Sequence, residues 1–118
     1  MKNAGPGHPI TVSRSLQRVR VLSGDRLIAS SDNALVLKEA SYPPVYYVPR
    51  CDADMSALSK TERRTHCPYK GDASYFTVVC GEERLADAVW SYESPLAAVA
   101  AIAGHLAFYP DRVRIEVE

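Results

Sequence analysis

A chain of 118 residues is long enough for one hydrophobic core and too short for two, so a single domain over 1–118 is expected. Its apolar fraction of 47% and charged fraction of 24% are those of a soluble globular protein, with no low-complexity tract and nothing near the roughly 18 apolar residues of a membrane span. Basic and acidic residues number 14 each and cancel, which leaves no global field to draw in nucleic acid or an anionic membrane.

Met1 to Pro9 has no apolar run of the signal-peptide kind. His8-Pro9 opens an extended start, and Ile10 with Val12 forms a first short strand. Arg18-Val19-Arg20-Val21 alternates with period two, as a half-buried strand does. Ser23-Gly24-Asp25 is a hairpin signal and Leu27-Ile28-Ala29 returns. Asp32-Asn33 turns the chain again into Ala34-Leu35-Val36-Leu37, giving the pattern of an antiparallel meander. Pro43-Pro44 cannot lie in a central strand, so the chain changes sheet or direction there before Val45-Tyr46-Tyr47-Val48.

Asp52 to Leu58 reads as a single helical turn capped by Asp52 or Asp54. Lys60, Arg63, Arg64 and Lys70 stand against only Glu62, a cluster that reads as a solvated loop or as an anion-binding rim. Pro68 then fixes a bend, and Gly71-Asp72 hands the chain to a strand over Ala73 to Cys80. After Gly81 a strand follows from Leu85 to Tyr92, with Ala86, Ala88, Trp90 and Tyr92 expected on one face. One helix is predicted, Pro95 to Ala103, with Ser94 as N-cap, Gly104 as stop, and Leu96, Val99 and Ala103 toward the core. Arg112 to Val117 alternates as a closing strand, whose free edge gives a possible homo-oligomer contact. The sum is a mainly-β domain with one short helix.

Several motifs together carry a family resemblance. Tyr42-Pro43-Pro44-Val45-Tyr46-Tyr47-Val48-Pro49-Arg50, Asp52, Thr65-His66-Cys67-Pro68-Tyr69-Lys70-Gly71, Ala88-Val89-Trp90-Ser91-Tyr92 and Gly104-His105-Leu106-Ala107-Phe108-Tyr109 closely resemble domain-of-unknown-function family 427. The resemblance spans nearly the whole chain. It implies a β-tent-like arrangement of two antiparallel sheets, and it brings a nucleotidyltransferase-like label. Kinship of fold does not transfer function.

The residues themselves must therefore supply the chemistry. Zinc needs four soft or imidazole ligands close together, and neither Cys51, Cys67 nor Cys80 has a Cys or His at knuckle spacing, so no metal is expected. Asp52 and Asp54 could share a strand face, although helix capping accounts for them as well. Three widely spaced cysteines suit a reducing cytoplasm better than a disulfide framework. Nucleotidyl transfer needs paired carboxylates beside a glycine-rich turn; Ser23-Gly24 and Asp32 lack the second carboxylate.

Two functional classes stay open. In the first, Tyr42, Tyr47, Tyr69, Trp90 and Tyr92 form aromatic walls, and Arg50 and Lys70 add cations, making a pocket for a small anionic or planar polar molecule without a cofactor. Glu39 is the expected counter-carboxylate. In the second, an enzyme uses Cys67 or a Glu39-based acid–base pair in the same cavity. Against both stands a plain core role for the tyrosines, Trp90 and Cys67, with Arg50 paired to Glu39 or Asp52. Tyrosine patches at the surface would point instead to protein interaction.

Overall fold

The computed structural model describes residues 9–118, so the expectations for His8 and the preceding residues lie outside the described residues. Ten strands run in chain order: β1 Ile10–Arg14, β2 Val19–Ser23, β3 Arg26–Ser31, β4 Leu35–Glu39, β5 Val45–Tyr47, β6 Leu58–Cys67, β7 Gly71–Cys80, β8 Glu83–Ser91, β9 Ala107–Phe108 and β10 Arg114–Val117. They form three antiparallel sheets rather than two, ordered β1-β4-β5, β10-β2-β3 and β6-β7-β8-β9.

The first four strands are not a meander. β4 returns to β1 instead of adding to β3, so β1–β2 and β3–β4 are the two arms of one long ribbon. That ribbon breaks where Ser15 to Arg18 faces Asp32 to Ala34. The Ser15 hydroxyl bonds the Gln17 carbonyl and amide, and the Ser31 hydroxyl accepts from the Asn33 amide. Such local side-chain bonds take over backbone partners that a continuous ladder would need. The break sends the two halves of the ribbon into different sheets, and this is the third sheet's origin.

β6 is the largest departure from the sequence reading. The basic stretch read as a solvated loop or an anion-binding rim lies for the most part on a ten-residue edge strand. Its exposed Lys60, Glu62, Arg63 and Arg64 are what an edge carries to discourage pairing with another chain. The β6–β7 register jumps between Lys60↔Phe76 and Arg64↔Ser74, and the β7–β8 register jumps between Phe76↔Val89 and Val78↔Leu85. Both neighbours of β7 therefore bulge at the same level. Thr61 in one bulge donates to Asp87 in the other at 2.8 Å, and the Asp87 amide donates to Thr77 Oγ1 at 3.3 Å. Asp87 adopts φ +50°, which reverses the alternation in β8. Ala86 is consequently exposed while Ala88 is buried, so the expected four-residue face does not form; Trp90 and Tyr92 alone stay together.

The long sheet has a core on each side. Phe76, Val78, Val89 and Phe108 pack on Val19, Val21, Ile28 and Ala29 of β2 and β3. Ala73, Tyr75, Tyr92 and Ala107 pack on Leu37 and Tyr47 of β4 and β5. Each fully buried Val, Leu, Ile or Phe side chain here contributes about 1.5–3 kcal/mol.

The predicted helix is a 3-10 helix over Ala97–Ile102, interrupted at Val99, and Leu96 rather than Ser94 occupies its N-cap. The Leu96 amide is bonded to the Lys70 carbonyl and the Gly104 amide to the Tyr92 carbonyl, leaving too short a span for α turns. Three residues per turn align Val99 with Ile102, and both are buried. Leu96 and Ala103, expected in the core, are exposed. Farther up the chain, Asp54 does cap a short 3-10 helix over Met55–Ala57, accepting from the Ser56 amide at 3.1 Å.

Candidate functional site

The turn from β6 to β7 builds one wall of the site. Pro68 keeps Cys67 extended, the Lys70 amide reaches the Cys67 carbonyl at 3.3 Å, and Gly71 takes φ +111°. The Lys70 carbonyl then holds the Leu96 amide at 3.0 Å. With its backbone clamped, Lys70 turns its side chain inward and is only 8% exposed. Its Nζ donates to Glu39 Oε1 at 2.5 Å, at the end of β4, and stands 6.0 Å from the centroid of the Tyr92 ring. A lysine so enclosed is tolerated because a carboxylate and an aromatic face replace its water.

Aromatic side chains complete the enclosure. Trp90 Nε1 donates to the Tyr47 hydroxyl at 3.3 Å, with the two rings edge to face at 6.4 Å. Tyr109 lies against the other side of Trp90 with centroids 4.5 Å apart. Tyr75 pairs across the strands with Trp90, and its hydroxyl shares a 2.8 Å hydrogen bond with Thr65. Burial pushes the Tyr47 and Tyr92 phenols well above their ordinary range, and burial with a neighbouring Tyr75 pushes Tyr109 up to about 12. All these groups border one cavity of about 880 Å³. That volume lies within the range of small-molecule sites.

Glu39 of β4, Tyr42 of the β4–β5 connection, Tyr47 of β5, Cys67 at the end of β6, Lys70 of the β6–β7 turn, Trp90 of β8 and Tyr92 just after it all line this cavity. Arg50 does not. Its Nε donates to the Gly104 carbonyl at 2.7 Å, its Nη2 contacts Glu93 at 2.8 Å and Ser91 at 3.3 Å, and its guanidinium lies 5.3 Å from the Phe76 ring centroid. Glu93 also takes Lys60 at 2.9 Å, and these two cations, Lys60 foremost, hold its carboxyl below the usual range. The expected partners of Arg50, Glu39 or Asp52, are otherwise engaged: Glu39 with Lys70, and Asp52 with the Ser31 hydroxyl at 2.6 Å. Tyr75 and Tyr109 are among the cavity residues the sequence reading missed, as are Tyr46 and Phe108. The alternation Ala73, Tyr75 on β7 opposite Trp90 would have revealed the first.

A family model described as a domain of unknown function, DUF427, matches residues 11–118. The chain belongs to this family. No curated protein matches it.

Within this DUF427 chain the other candidate chemistries find little geometry. Among the described residues no three His, Cys, Asp or Glu side chains come together as a metal-holding group. Asp32 sits on an exposed bend in an ion pair with Arg18 at 2.9 Å. His66 pairs with Asp72 at 2.7 Å rather than with the Cys67 thiol, although it borders the same cavity as Cys67. Cys51, Cys67 and Cys80 are all free thiols. No helix among the described residues is long and apolar enough to cross a membrane.

Proposed function

We propose that this DUF427 domain binds a planar polar small molecule in the cavity between Trp90 and the Glu39–Lys70 pair. The observation that carries this reading is the enclosed Lys70–Glu39 ion pair set in a wall of mostly aromatic and apolar side chains. Lys70 offers a donor and Glu39 an acceptor side by side, while Tyr47, Tyr92 and Trp90 offer flat apolar surface. Because the Lys70 charge is compensated at 2.5 Å, the interior favours a ligand with adjacent donor and acceptor atoms over a bare anion. Three free thiols accord with a reducing cytoplasm.

The protein supplies its own probe. Trp90 is the sole tryptophan, so a ¹H–¹⁵N spectrum has one indole N–H resonance, and that N–H is bonded to Tyr47 inside the cavity. Bicyclic planar amides and lactams should move this resonance in a saturable way, and Lys70→Met should weaken them. A panel that leaves the indole signal still while the fold is intact would refute the reading.

A second reading, enzyme chemistry, is favoured by one observation: Cys67 lines the same cavity as the Glu39–Lys70 pair. A thiol-alkylation rate that titrates far below that of an ordinary cysteine would support it; ordinary titration would leave the binding reading alone.

A further inference from the structure

Arg63 is not itself among the residues lining the cavity, but it sets a cation against one ring of the aromatic wall. Its guanidinium lies 4.8 Å from the centroid of the Tyr75 ring, and its charge draws the Tyr109 phenol down against the burial that raises it. Tyr75 and Tyr109 both line the cavity, and Trp90 touches each of them, as cross-strand neighbour of the first and ring partner of the second. A row therefore crosses the sheet from cation to rings: Arg63, Tyr75, Trp90, Tyr109. The β6 bulge explains why Arg63 reaches this row at all, since an uninterrupted β6 would carry a different register opposite β7.

Carboxylate partners separate Arg63 from Lys60, Arg50 and Lys70, and the ring contact with Tyr75 separates it from Arg64, which likewise forms no ion pair among the described residues. Lys60 and Arg50 are spent on Glu93, and Lys70 on Glu39. Arg63 forms no ion pair with a carboxylate among the described residues. Asp111 acts on Tyr109 from elsewhere without bonding Arg63. A guanidinium stacked on a ring keeps its N–H edge free, and that edge matches a carboxylate in a two-point hydrogen bond.

We propose that the cavity takes a planar aryl carboxylate, its ring against Trp90 and Tyr109 and its carboxylate held at the rim by Arg63. This rests on the small-molecule reading above and adds the ligand class and the residue that selects it. The anion site so assigned is Arg63, not the Arg50 expected from sequence.

The test compares 2-naphthoate with its neutral isostere 2-naphthamide by calorimetry on the whole chain, with the Trp90 indole resonance confirming occupancy. In the wild-type protein the carboxylate should bind about tenfold more tightly than the amide. Arg63→Met, which keeps the aliphatic stem on Tyr75, should bring that ratio to about one, chiefly by weakening the carboxylate, with a cooperative urea transition showing that the fold is kept. Arg63→Lys should fall between, because an ammonium keeps the charge and loses the fork. A wild-type ratio near one, or a ratio that survives Arg63→Met, overturns the Arg63 assignment while leaving the cavity reading standing. Binding of neither compound overturns both.

Discussion

Lys70 Nζ and Glu39 Oε1 lie 2.5 Å apart with side chains 11% and 16% exposed, joining the β6–β7 turn to the end of β4. The two residues are 31 positions apart, so the pair ties the long sheet to the β1-β4-β5 sheet across the cavity wall. An enclosed pair is far costlier to halve than to remove. Lys70→Met or Glu39→Gln alone should destabilise the protein by about 2–4 kcal/mol, each leaving a desolvated partner. The double variant Lys70→Met/Glu39→Gln should lose clearly less than the sum of the two. Urea midpoints of the four proteins measure this; strict additivity would show that the pair is not coupled.

The raised phenols predict an alkaline limit to stability. Tyr47, Tyr92 and Tyr109 stay protonated in the folded protein above the pH at which unfolded tyrosine, with a pKa of about 10, ionises. Below that pH both states hold these protons and the contribution is fully present. Above it the unfolded state sheds protons that the folded state retains, so stability falls as pH rises from about 10 toward 12. Tyrosinate absorbance should rise in two stages, the second coinciding with unfolding, and Tyr109→Phe should flatten part of the loss. A single stage near pH 10 with the fold intact would contradict the burial argument.

Arg50 is expected to matter for the fold and not for the cavity. It donates to Gly104, Ser91 and Glu93 at once, and Ser91 is itself fully buried and bonded to the His105 carbonyl at 2.7 Å. Arg50→Ala should cost about 1–2 kcal/mol, discounted for the exposure of its ion pair to water and salt. The Trp90 indole resonance should barely move. A shifted resonance with unchanged stability would return Arg50 to the ligand site.

How much of this was legible beforehand follows from which forces are local. Strands β1 to β5, β7 and β10 announce themselves by alternation and by turn residues such as Gly24 and Asp32-Asn33. β6 does not, because an edge strand guarded by charge looks like a loop, and its bulge erases what period remained. Ala86 and Ala88 part company for a related reason: Asp87 at φ +50° is a backbone choice imposed by Thr61 and Thr77 from other strands. For the site, Glu39, Lys70 and the aromatic wall could be placed from their positions at strand ends and in the proline-fixed turn. Arg50 could not, since its direction is set by the Gly104 carbonyl 54 residues away. Tyr75 and Arg63 needed the β6–β7–β8 register, which no local pattern specifies.

The last expectation concerns Gly71, where backbone conformation and site geometry meet. Its φ of +111° is open to glycine and strained for any residue with a side chain. Space is not the obstacle, because a Cβ there would meet Leu96 N, Pro95 Cα and Ser94 O at an ordinary 3.5 Å. Gly71→Ala should therefore cost about 2 kcal/mol through the backbone alone. Relief of that strain would rotate the peptide before it, whose carbonyl belongs to Lys70 and holds the Leu96 amide at 3.0 Å. Hydrogen exchange at Leu96 should quicken and the Trp90 indole resonance should shift as Lys70 leaves Glu39. Gly24→Ala is the control, at φ +58° in a hairpin with nothing within 4 Å of the added Cβ. It should cost about 1 kcal/mol and leave both signals where they are. If the two substitutions prove alike in exchange and in the indole signal, the turn does not govern where Lys70 points.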